Sequence, residues 1–579
     1  MEDAKLRSDD AARPVRSRLA RTLWYRQLNR YPDQRPRIGY LSIVVLSTIV
    51  LYYESYAPGA VAPQILSHYG MTFRYYVNIT VVGSFFGAFA AIAAGLADKW
   101  GRANLVVYGV GVVGLMTLFA IPNAPNKLTF ATLVVLIGCV EGVVLVATPA
   151  LMRDFSPQMR RGTAMGFWTL GPVVGSLIVA VVASNTLSHL VAWQDQFTIA
   201  GIVGLVVFLV ALFGLRELSP ELRDQLMVSL RDRALVEAKA KGLDVNRALD
   251  HPVRQMVRFD VLVSALAVSM LLLIYYTAVG FNVIYFETVF GFSTTQANSL
   301  GDWFWAFDAL ALVVTGVISD RLRVRKPFML VGGIGAAVMT IIFLTLATHP
   351  HTSFSTFAII LSLLAVFLGI SYAPWMASFT ETVERHSPAL VATGLAMWGW
   401  VLRIVVAVAF IIMPFVVSSV TPLVQDGAIG VQAGAILKAD PLVGVVLAHP
   451  ALFTELSKYP TTSSIPPALL AEAIKEVGLT NLEAVGKDAK IPTEVAFFTT
   501  NAATLASVQK AAAVTKYQWQ HWYWVCVGGE IVFLPAVFLL IGRWSPKKAK
   551  EDLDEFERRV QQELDELQAH NATTGITTP

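Results

Sequence analysis

The sequence is poor in charged residues and almost free of cysteine. Only 15% of its 579 residues are charged, 55% are hydrophobic, and the mean hydropathy is +0.57. Soluble domains carry about 25% charged residues, and a soluble protein this apolar would expose too much apolar surface. The composition argues against a disordered chain, a collagen-like rod and a soluble enzyme. The two cysteines, Cys139 and Cys526, stand in apolar blocks and provide no disulfide framework.

The sequence also lacks the usual signatures of catalysis and metal binding. It contains no nucleophile–base set, no glycine-rich phosphate loop and no His or Cys cluster with metal-ligand spacing. The net charge of +4 is too small to favour nucleic acid as a partner. The first 37 residues are polar and basic, unlike a cleavable signal peptide. We therefore expect no enzymatic activity, no metal, no cofactor and no nucleic acid.

The sequence contains instead twelve apolar blocks, each long enough to cross a ~30 Å hydrocarbon layer as a helix. Backbone groups in lipid must be satisfied internally, and the strands of a closed barrel would be half as long and alternating. We therefore predict an all-α polytopic protein in the lipid bilayer. Spans 1 to 12 are predicted at 38–63, 77–97, 103–121, 128–151, 163–184, 195–215, 260–286, 298–319, 327–347, 356–376, 389–418 and 520–541.

Lysine and arginine are distributed unequally between the two sides of the predicted membrane. With a cytoplasmic N-terminus, the short inner loops hold ten of these residues and the short outer loops hold two. Positive charge favours the cytoplasmic side, so both termini are predicted inside. The predicted organisation is a cytoplasmic arm at 1–37, a six-helix bundle at 38–215, a cytoplasmic central loop at 216–259, spans 7–11 at 260–420, an extracytoplasmic insertion at 421–518, span 12 at 519–542 and a cytoplasmic tail helix at 543–579.

The polar segments carry helix signals of their own. Ser219-Pro220-Glu221 is a helix-start signature in the central loop, with a predicted end near Gly242. The insertion is predicted to be a partly helical cap, with one helix around Pro466–Val477. The tail has a short apolar stripe, which favours a solvated helix at the inner face over a coiled-coil site.

A charged motif is repeated six spans apart. Residues 94–102, between spans 2 and 3, read Ala-Gly-Leu-Ala-Asp-Lys-Trp-Gly-Arg. Residues 316–325, between spans 8 and 9, read Gly-Val-Ile-Ser-Asp-Arg-Leu-Arg-Val-Arg. A third loop, residues 154–162 after span 4, reads Asp-Phe-Ser-Pro-Gln-Met-Arg-Arg-Gly. Taken alone, such loops are also typical of turns on the positively charged side of a membrane.

These motifs and the twelve spans resemble the major facilitator superfamily. The first loop is similar to its signature, Gly-x-Leu-Ala-Asp-Arg-x-Gly-Arg, and departs from it at Ala94 and Lys99; the second has Arg323 in place of the central glycine. The resemblance covers the spans but not the insertion, and implies two six-helix pseudo-repeats. It also implies gating loops, formed by Gly95, Asp98, Gly101, Arg102, Asp154, Arg161, Asp320, Arg321 and Arg325.

Ionisable residues inside apolar spans are costly and by default mark a transport pathway. Glu141, Asp308 and Arg403 lie about 18–21 Å from a span edge, near the predicted midplane, and Glu54 lies further outward. Burial penalises the charged form of a carboxylate, so Glu54, Glu141 and Asp308 are candidate proton carriers. The resemblance supports Glu54, because proton-coupled members often carry an acid near this place in span 1. The alternative is structural acids that are hydrogen-bonded to neighbours, which is our prediction for Glu530.

The candidate substrate cavity consists of Tyr53, Tyr276, Asn282, Trp400 and Arg403. A mid-membrane arginine beside aromatic residues holds an anionic substrate or pairs with a carboxylate, and both alternatives stay open. The sequence from Gly280 to Asn282 is similar to sugar-porter branches of the superfamily. Their preceding glutamine pair is absent, which argues against a plain sugar site.

The sequence favours a monomeric secondary active transporter of the plasma membrane that moves a small organic solute by alternating access, as a symporter with protons as the coupling ion. Drug–proton antiporters of the superfamily carry Arg-x-x-Gln-Gly in span 4, where this chain has Gly-Cys-Val-Glu-Gly at 138–142. Their Gly-Pro motif in span 5 is similar to Gly171-Pro172, which falls about one helical turn early. Proton-driven efflux is the second hypothesis, and a transport-inactive sensor with the same fold is the third.

Overall fold

The described residues of the computed structural model are 23–92, 101–156, 168–219, 222, 257–386, 391–459, 464–540, 542–548, 550–551 and 558. They form helices joined by short turns, together with one two-residue strand pair. The prediction of an all-α chain is therefore confirmed. The predicted central-loop helix after Ser219 and most of the predicted tail helix lie outside the described residues.

Twelve long helices of the described part of the chain occupy the positions of the predicted spans. The N-terminal half holds spans 1 to 6, at Gln34–Ala60, Phe73–Ile92, Arg102–Ala120, Lys127–Phe155, Gly171–Thr186 and Trp193–Gly214. The C-terminal half holds spans 7 to 12, at Phe259–Phe290, Thr294–Leu322, Lys326–Leu346, Phe354–His386, Val391–Val416 and Ala502–Ala536. A short helix, Ala62–Tyr69, follows span 1. Span 3 ends in a π-helical turn, Met116–Ala120, and span 7 is broken at Leu272.

Nine of the described helices are long and apolar enough to cross a membrane. Span 5 is apolar but shorter, while span 2 packs against span 4 and span 12 packs against spans 7 and 9. Two further apolar helices, Gly427–Ala439 and Pro441–Ala448, meet at a bend of 104° in the insertion. The chain is thus a multi-pass membrane protein. We call the side that carries Arg102 and Arg325 the inner side, as the charge rule predicts.

The sharp turn between spans 7 and 8 follows from local sequence rules. Gly291, with φ +67°, ends span 7 in the left-handed conformation that glycine adopts most easily. Ser293 and Gln296 then form a capping box at the start of span 8. The hydroxyl of Ser293 accepts from the backbone N–H of Gln296 at 3.2 Å, and the Gln296 amide oxygen accepts from the backbone N–H of Ser293 at 3.1 Å.

Spans 2 and 4 approach each other through glycine. A Cβ on Gly87 would lie 2.8 Å from the carbonyl oxygen of Gly138, and a Cβ on Gly138 would lie 3.1 Å from that of Gly83. A Cβ on Gly142 would overlap the backbone of Gly87. Lipid is as apolar as the helices, so such close van der Waals packing is what holds membrane helices together. The small residues at four-residue spacing in span 2 therefore serve packing.

The insertion is a helical cap on the outer side, with helices at Val420–Gln425, Gly427–Ala439, Pro441–Ala448, Pro450–Leu456, Pro467–Val477, Leu479–Lys487 and Ile491–Thr500. The helix expected around 466–477 is present. Two small apolar clusters hold the cap together, one around Val443 and Ile491 and one around Leu452 and Ala473. Span 12 differs from the prediction, because its helix begins at Ala502 inside the insertion. Alanine, the strongest helix former, is frequent in the extra turns of this helix.

A short segment of the N-terminal arm, the strap (residues 23–31), crosses the inner end of the N-terminal half. Its strand β1, Gln27–Leu28, pairs in parallel with β2, Glu217–Leu218, which follows span 6. Two backbone hydrogen bonds of 3.0 and 2.9 Å close the pair. The sequence analysis missed this pairing because two residues carry no strand periodicity.

Arg26 anchors the strap to spans 3 and 6. The residue is 1% exposed, its Nε donates to the Asn104 side-chain oxygen at 3.1 Å, and a terminal nitrogen donates to the carbonyl oxygen of Leu212. The Asn104 amide in turn donates to the carbonyl oxygen of Trp24 at 2.8 Å. Burial lowers the pKa of the Arg26 guanidinium. Carbonyl groups at the end of a helix offset part of this desolvation cost, because they carry partial negative charge.

We expect Arg26→Gln to destabilise the N-terminal half by about 1–3 kcal/mol, because buried acceptors lose their donor. The measurement is the thermal unfolding temperature of the detergent-purified protein, which should fall. Arg30→Gln, which changes an exposed arginine of the same strap, is the control. An unfolding temperature that falls equally in both variants would contradict the anchoring role of Arg26.

We expect Gly142→Ala to destabilise the protein by about 1–3 kcal/mol, because the added methyl group forces spans 2 and 4 apart. Gly528→Ala in span 12 is the matched control, since a Cβ there meets nothing within 4 Å. The thermal unfolding temperature of Gly528→Ala should equal that of wild type or be slightly higher, because alanine has a higher helix propensity than glycine. Equal unfolding temperatures for the two variants would rule out tight backbone packing at Gly142.

Candidate functional site

Arg102, at the start of span 3, is the centre of an ion pair at the inner side. Its guanidinium donates to both carboxylate oxygens of Asp154, at 2.8 and 2.7 Å. The side chain of Asp154, at the inner end of span 4, is only 7% exposed. The backbone N–H of Arg102 donates to the Glu217 carboxylate at 2.7 Å, and Gly101, with φ +88°, permits the turn. The first and third motifs therefore meet at Arg102, together with the strand that pairs with the strap.

Arg325 occupies the corresponding position in the C-terminal half. Its guanidinium pairs with Asp320 at 2.7 Å and with Glu381 at 3.2 Å, and it donates to the Ser319 hydroxyl at 2.8 Å. Glu381 lies near the inner end of span 10, six spans after the place of Asp154. The two halves therefore repeat one arrangement, in which an arginine ties the start of one helix to an acid at the end of its neighbour.

The sequence analysis missed Glu381 because span 10 is not followed by the Asp-x-x-Pro pattern that marks Asp154. The repetition of the first half six spans later is the signal that could have identified Glu381. Of the other predicted gating residues, Arg321 is exposed, while Gly95, Asp98 and Arg161 lie outside the described residues.

Glu141 and Arg403 come close to each other from opposite halves. Glu141, on span 4, accepts a hydrogen bond from the Ser55 hydroxyl of span 1 at 2.8 Å. Arg403, on span 11, lies within electrostatic range of Glu141, Tyr52 and Tyr276. All of these side chains are partly exposed, and we call the region between the halves that they share the central space.

Arg403 has no direct partner among the described residues. Neither a hydrogen bond, nor an ion pair, nor a ring contact to its guanidinium is found there. Trp400, three positions before Arg403 on span 11, belongs to a row of exposed side chains. It is 50% exposed and shares one helix face with Ile404 and Val408, which are 43% and 52% exposed. Exposed apolar residues four positions apart share one helix face and are typical of contact with lipid, so the structure does not bring Trp400 to the central space.

Asp308, on span 8, lies beside the aromatic part of the central space. It is 4% exposed and within electrostatic range of Tyr275 and Tyr372. The ring of Tyr275 contacts that of Tyr276 with centroids 5.2 Å apart, and the ring of Tyr372 lies 6.3 Å from that of Trp398. Asp308 and Glu141 therefore approach this aromatic cluster from different halves.

Glu54 and Tyr53 are placed inside the N-terminal half, away from the central space. Glu54 is 2% exposed, and its carboxylate fills a notch beside Gly114 of span 3 and Gly204 of span 6. A Cβ on Gly114 would lie 3.4 Å from this carboxylate. Neither carboxylate oxygen of Glu54, nor the hydroxyl of Tyr53, has a hydrogen-bond partner among the described residues. The structure thus separates these two residues from Glu141.

Two polar residues lie inside the C-terminal half. Asn282 lines a small, mainly apolar pocket with Phe304 and Tyr523. Glu530, which is fully buried, accepts a hydrogen bond from Thr340 at 2.7 Å and so ties span 12 to span 9. Asn282 is therefore not brought together with Tyr276 and Arg403, and the contact of Glu530 agrees with a structural role.

The two halves meet at their outer ends, along a contact that we call the outer seam. Hydrogen bonds between described residues of different halves lie at the outer ends of the spans: Gln64–Thr294 at 2.7 Å, Ala60–Asn298 at 2.9 Å, Ser184–Asp302 at 2.8 Å and Phe73–Thr421 at 2.9 Å. A Cβ on Gly59 would overlap the carbonyl group of Val279, so spans 1 and 7 touch backbone to backbone. The outer seam separates the central space from the outer side.

The chain matches the family model described as Major Facilitator Superfamily over residues 44–297. It is 29% identical over 189 residues to the efflux pump radE of Floropilus chiversii, covering 32% of this chain and 34% of that protein. It is 26% identical over 317 residues to the MFS-type transporter MFS19 of Alternaria alternata, covering 51% and 62%. The chain therefore matches less than two thirds of the length of these curated relatives.

Two solved structures are similar to the fold. A bacterial homologue of the human lysosomal transporter Spinster, inward-facing and unoccupied, gives a TM-score of 0.53 at 15% identity, covering 89% of this chain and 100% of that chain. A D-xylose-proton symporter gives a TM-score of 0.51 at 14% identity, covering 66% and 90%. At this identity the likeness concerns the fold alone, and it confirms the predicted architecture.

We expect Gly59→Ala to loosen the outer seam, because the added methyl group collides with the backbone of span 7. A single cysteine at Ala57, with Cys139 and Cys526 replaced by serine, should then react several-fold faster with a membrane-impermeant maleimide added from the outside. Gly280→Ala is the matched control on the opposite helix, since a Cβ there meets nothing within 4 Å. Equal labelling rates for the two variants would contradict a seam that depends on Gly59.

Proposed function

We propose that this chain is a proton-coupled symporter of the major facilitator superfamily that moves a small organic solute by alternating access. The observation that carries the proposal is the central space, where Glu141 and Arg403 approach each other from opposite halves. Ionisable groups at this depth are costly in a bilayer and are kept where they act on a solute or an ion. Transporters of this kind bind their substrates near the midplane, between the two repeats.

The contacts on the two sides suit alternating access. The outer seam includes four hydrogen bonds and the close approach of spans 1 and 7, and a net hydrogen bond contributes only about 0.5–1.5 kcal/mol. At the inner side, the ion pairs of Arg102 with Asp154 and of Arg325 with Asp320 and Glu381, which join described residues, are each formed within one half. Each half can therefore move as a unit, and the seam can open without breaking the core of either half.

Among the candidate proton carriers, Glu141 is the best placed for coupling. It lies beside the central space, and within the described part of the chain its one direct hydrogen bond comes from a neutral hydroxyl. Asp308 borders the same space from the C-terminal half. Glu54 is enclosed within the N-terminal half, so in this proposal it acts on helix packing in that half and Glu141 carries the proton.

Proton-driven efflux is the second candidate function, and one observation favours it. Gly171 and Gly175 of span 5 pack directly on span 1, where a Cβ on either would lie 2.7 Å from a side-chain carbon of Thr48 or Tyr52. A Gly-Pro pair in span 5 is a mark of antiporters, and the relative radE is named an efflux pump. The direction of proton movement distinguishes the two functions. In either case we propose a monomer in the plasma membrane with both termini in the cytoplasm.

The test uses proteoliposomes that contain the pH indicator pyranine and receive, one at a time, sugars, amino acids, organic carboxylates and organic cations. A symporter acidifies the lumen when its solute enters, whereas an antiporter makes the lumen more alkaline. We expect acidification with wild type and with Glu530→Gln, whose amide keeps the contact with Thr340. Glu141→Gln should lose the pH change while retaining counterflow of the radiolabelled solute. If Glu141→Gln still acidifies the lumen at the wild-type rate, Glu141 is not the proton carrier.

A further inference from the structure

Arg403 is a cation inside the membrane part of the chain that lacks a direct counter-ion among the described residues. Glu141, an acid that interacts with it electrostatically, accepts its hydrogen bond from Ser55 instead. An arginine in this environment is stabilised by an anion, and its planar guanidinium matches a carboxylate with two parallel hydrogen bonds. Arg403 is also partly exposed, so its donors are accessible to a ligand from the central space.

Aromatic rings surround the rest of the central space. Tyr52 and Tyr56 of span 1 lie with their ring centroids 5.3 Å apart, and both are partly exposed. Across the space, Tyr276 on span 7 and Tyr372 on span 10 are partly exposed as well. Partly exposed rings from three spans of two halves offer flat apolar surfaces, which fit an aromatic ring edge-to-face or offset-stacked.

We propose that the substrate is an organic carboxylate with an aromatic body, held by Arg403 and by the tyrosines of spans 1, 7 and 10. This inference rests on the proposed transport function and names its substrate class. The carboxylate supplies the direct counter-ion that Arg403 lacks, and the rings bind the apolar body. A neutral amide of the same shape leaves the charge of Arg403 unmatched, and a cation is repelled by it.

The same arrangement couples the substrate to one proton. Before binding, the negative charge of Glu141 balances the positive charge of Arg403 across the central space. When the substrate carboxylate takes over that balance, Glu141 accepts a proton from water, and the net charge of the space stays at zero. The groups that face Glu141 are Ser55, Tyr52, Tyr56, Tyr276 and Arg403. Arg403 is the one cation among them, and its charge favours the ionised form of Glu141.

The first test is binding to the detergent-purified full chain, measured by titration calorimetry. The probes are benzoate, 4-hydroxybenzoate and 3-phenylpropionate, each compared with its amide, and cyclohexanecarboxylate as the non-aromatic acid. We expect the aryl carboxylates to bind about ten-fold or more tightly than their amides, as the loss of a charge-assisted hydrogen bond implies. Arg403→Gln should lose this preference and Arg403→Lys should keep part of it. Lys516→Gln, which changes a cation of the outer cap, should bind like wild type.

Proton uptake is measured in the same titrations by repeating them in buffers of different ionisation enthalpy. We expect about one proton to be taken up per carboxylate bound by wild type. Glu141→Gln should bind the carboxylate without uptake, which a purely structural role of Glu141 would not produce. Equal binding of carboxylates and amides, or unchanged carboxylate binding by Arg403→Gln, would overturn the proposal even if both proteins remain folded.

Binding and flux together separate this inference from the proposed function. Carboxylate binding without flux in proteoliposomes would support the substrate class and overturn transport. Proton-coupled flux of a sugar or a cation, with no carboxylate binding, would support transport and overturn the substrate class. Protein-free liposomes supply the background for aryl acids that cross lipid in their neutral form.

Discussion

The constraint on which the whole structure depends is that lipid cannot hydrogen-bond to the backbone. Each spanning segment must therefore satisfy its own N–H and C=O groups, which is why long apolar blocks become helices. The same medium offers no hydrophobic drive for helices to associate, so contacts between them depend on fit. In this chain glycine supplies that fit, between spans 2 and 4 within one half and between spans 1 and 7 across the halves.

A second consequence of the same constraint is that each polar side chain among the spans is costly unless it has a hydrogen-bonding or charged partner. Glu530 has such a partner, because it accepts a hydrogen bond from Thr340. Arg102 and Arg325, at the inner side, form ion pairs with carboxylates of their own half. Arg403 is different, because its charge has no direct partner among the described residues. These polar residues thus fall into those that have a partner in their own half and one, Arg403, whose direct partner is not found in the described part of the chain.

The sequence was sufficient to predict the spans, the repeat and the helix at 467–477, because each rests on local periodicity or local motifs. It also placed Glu141, Asp308 and Arg403 at similar depths, since depth follows from counting residues along a helix. It could not tell which way a side chain points. Glu54 and Trp400 were assigned to the site by depth and composition, yet one packs against the glycines of spans 3 and 6 and the other shares a lipid-facing surface. The strap was not predicted, because the hydrogen-bond acceptors of Arg26 lie on helices that are distant in the sequence.

The unbroken helix from Ala502 to Ala536 has a mechanical consequence for the cap. Because this helix enters the cap without a break, part of the cap is a direct continuation of span 12. At its base, Thr421 holds the first residue of span 2, in the other half. The cap is therefore continuous with one half and hydrogen-bonded to the other. Any displacement of the halves against each other at the outer side has to stretch or break this contact at the base of the cap.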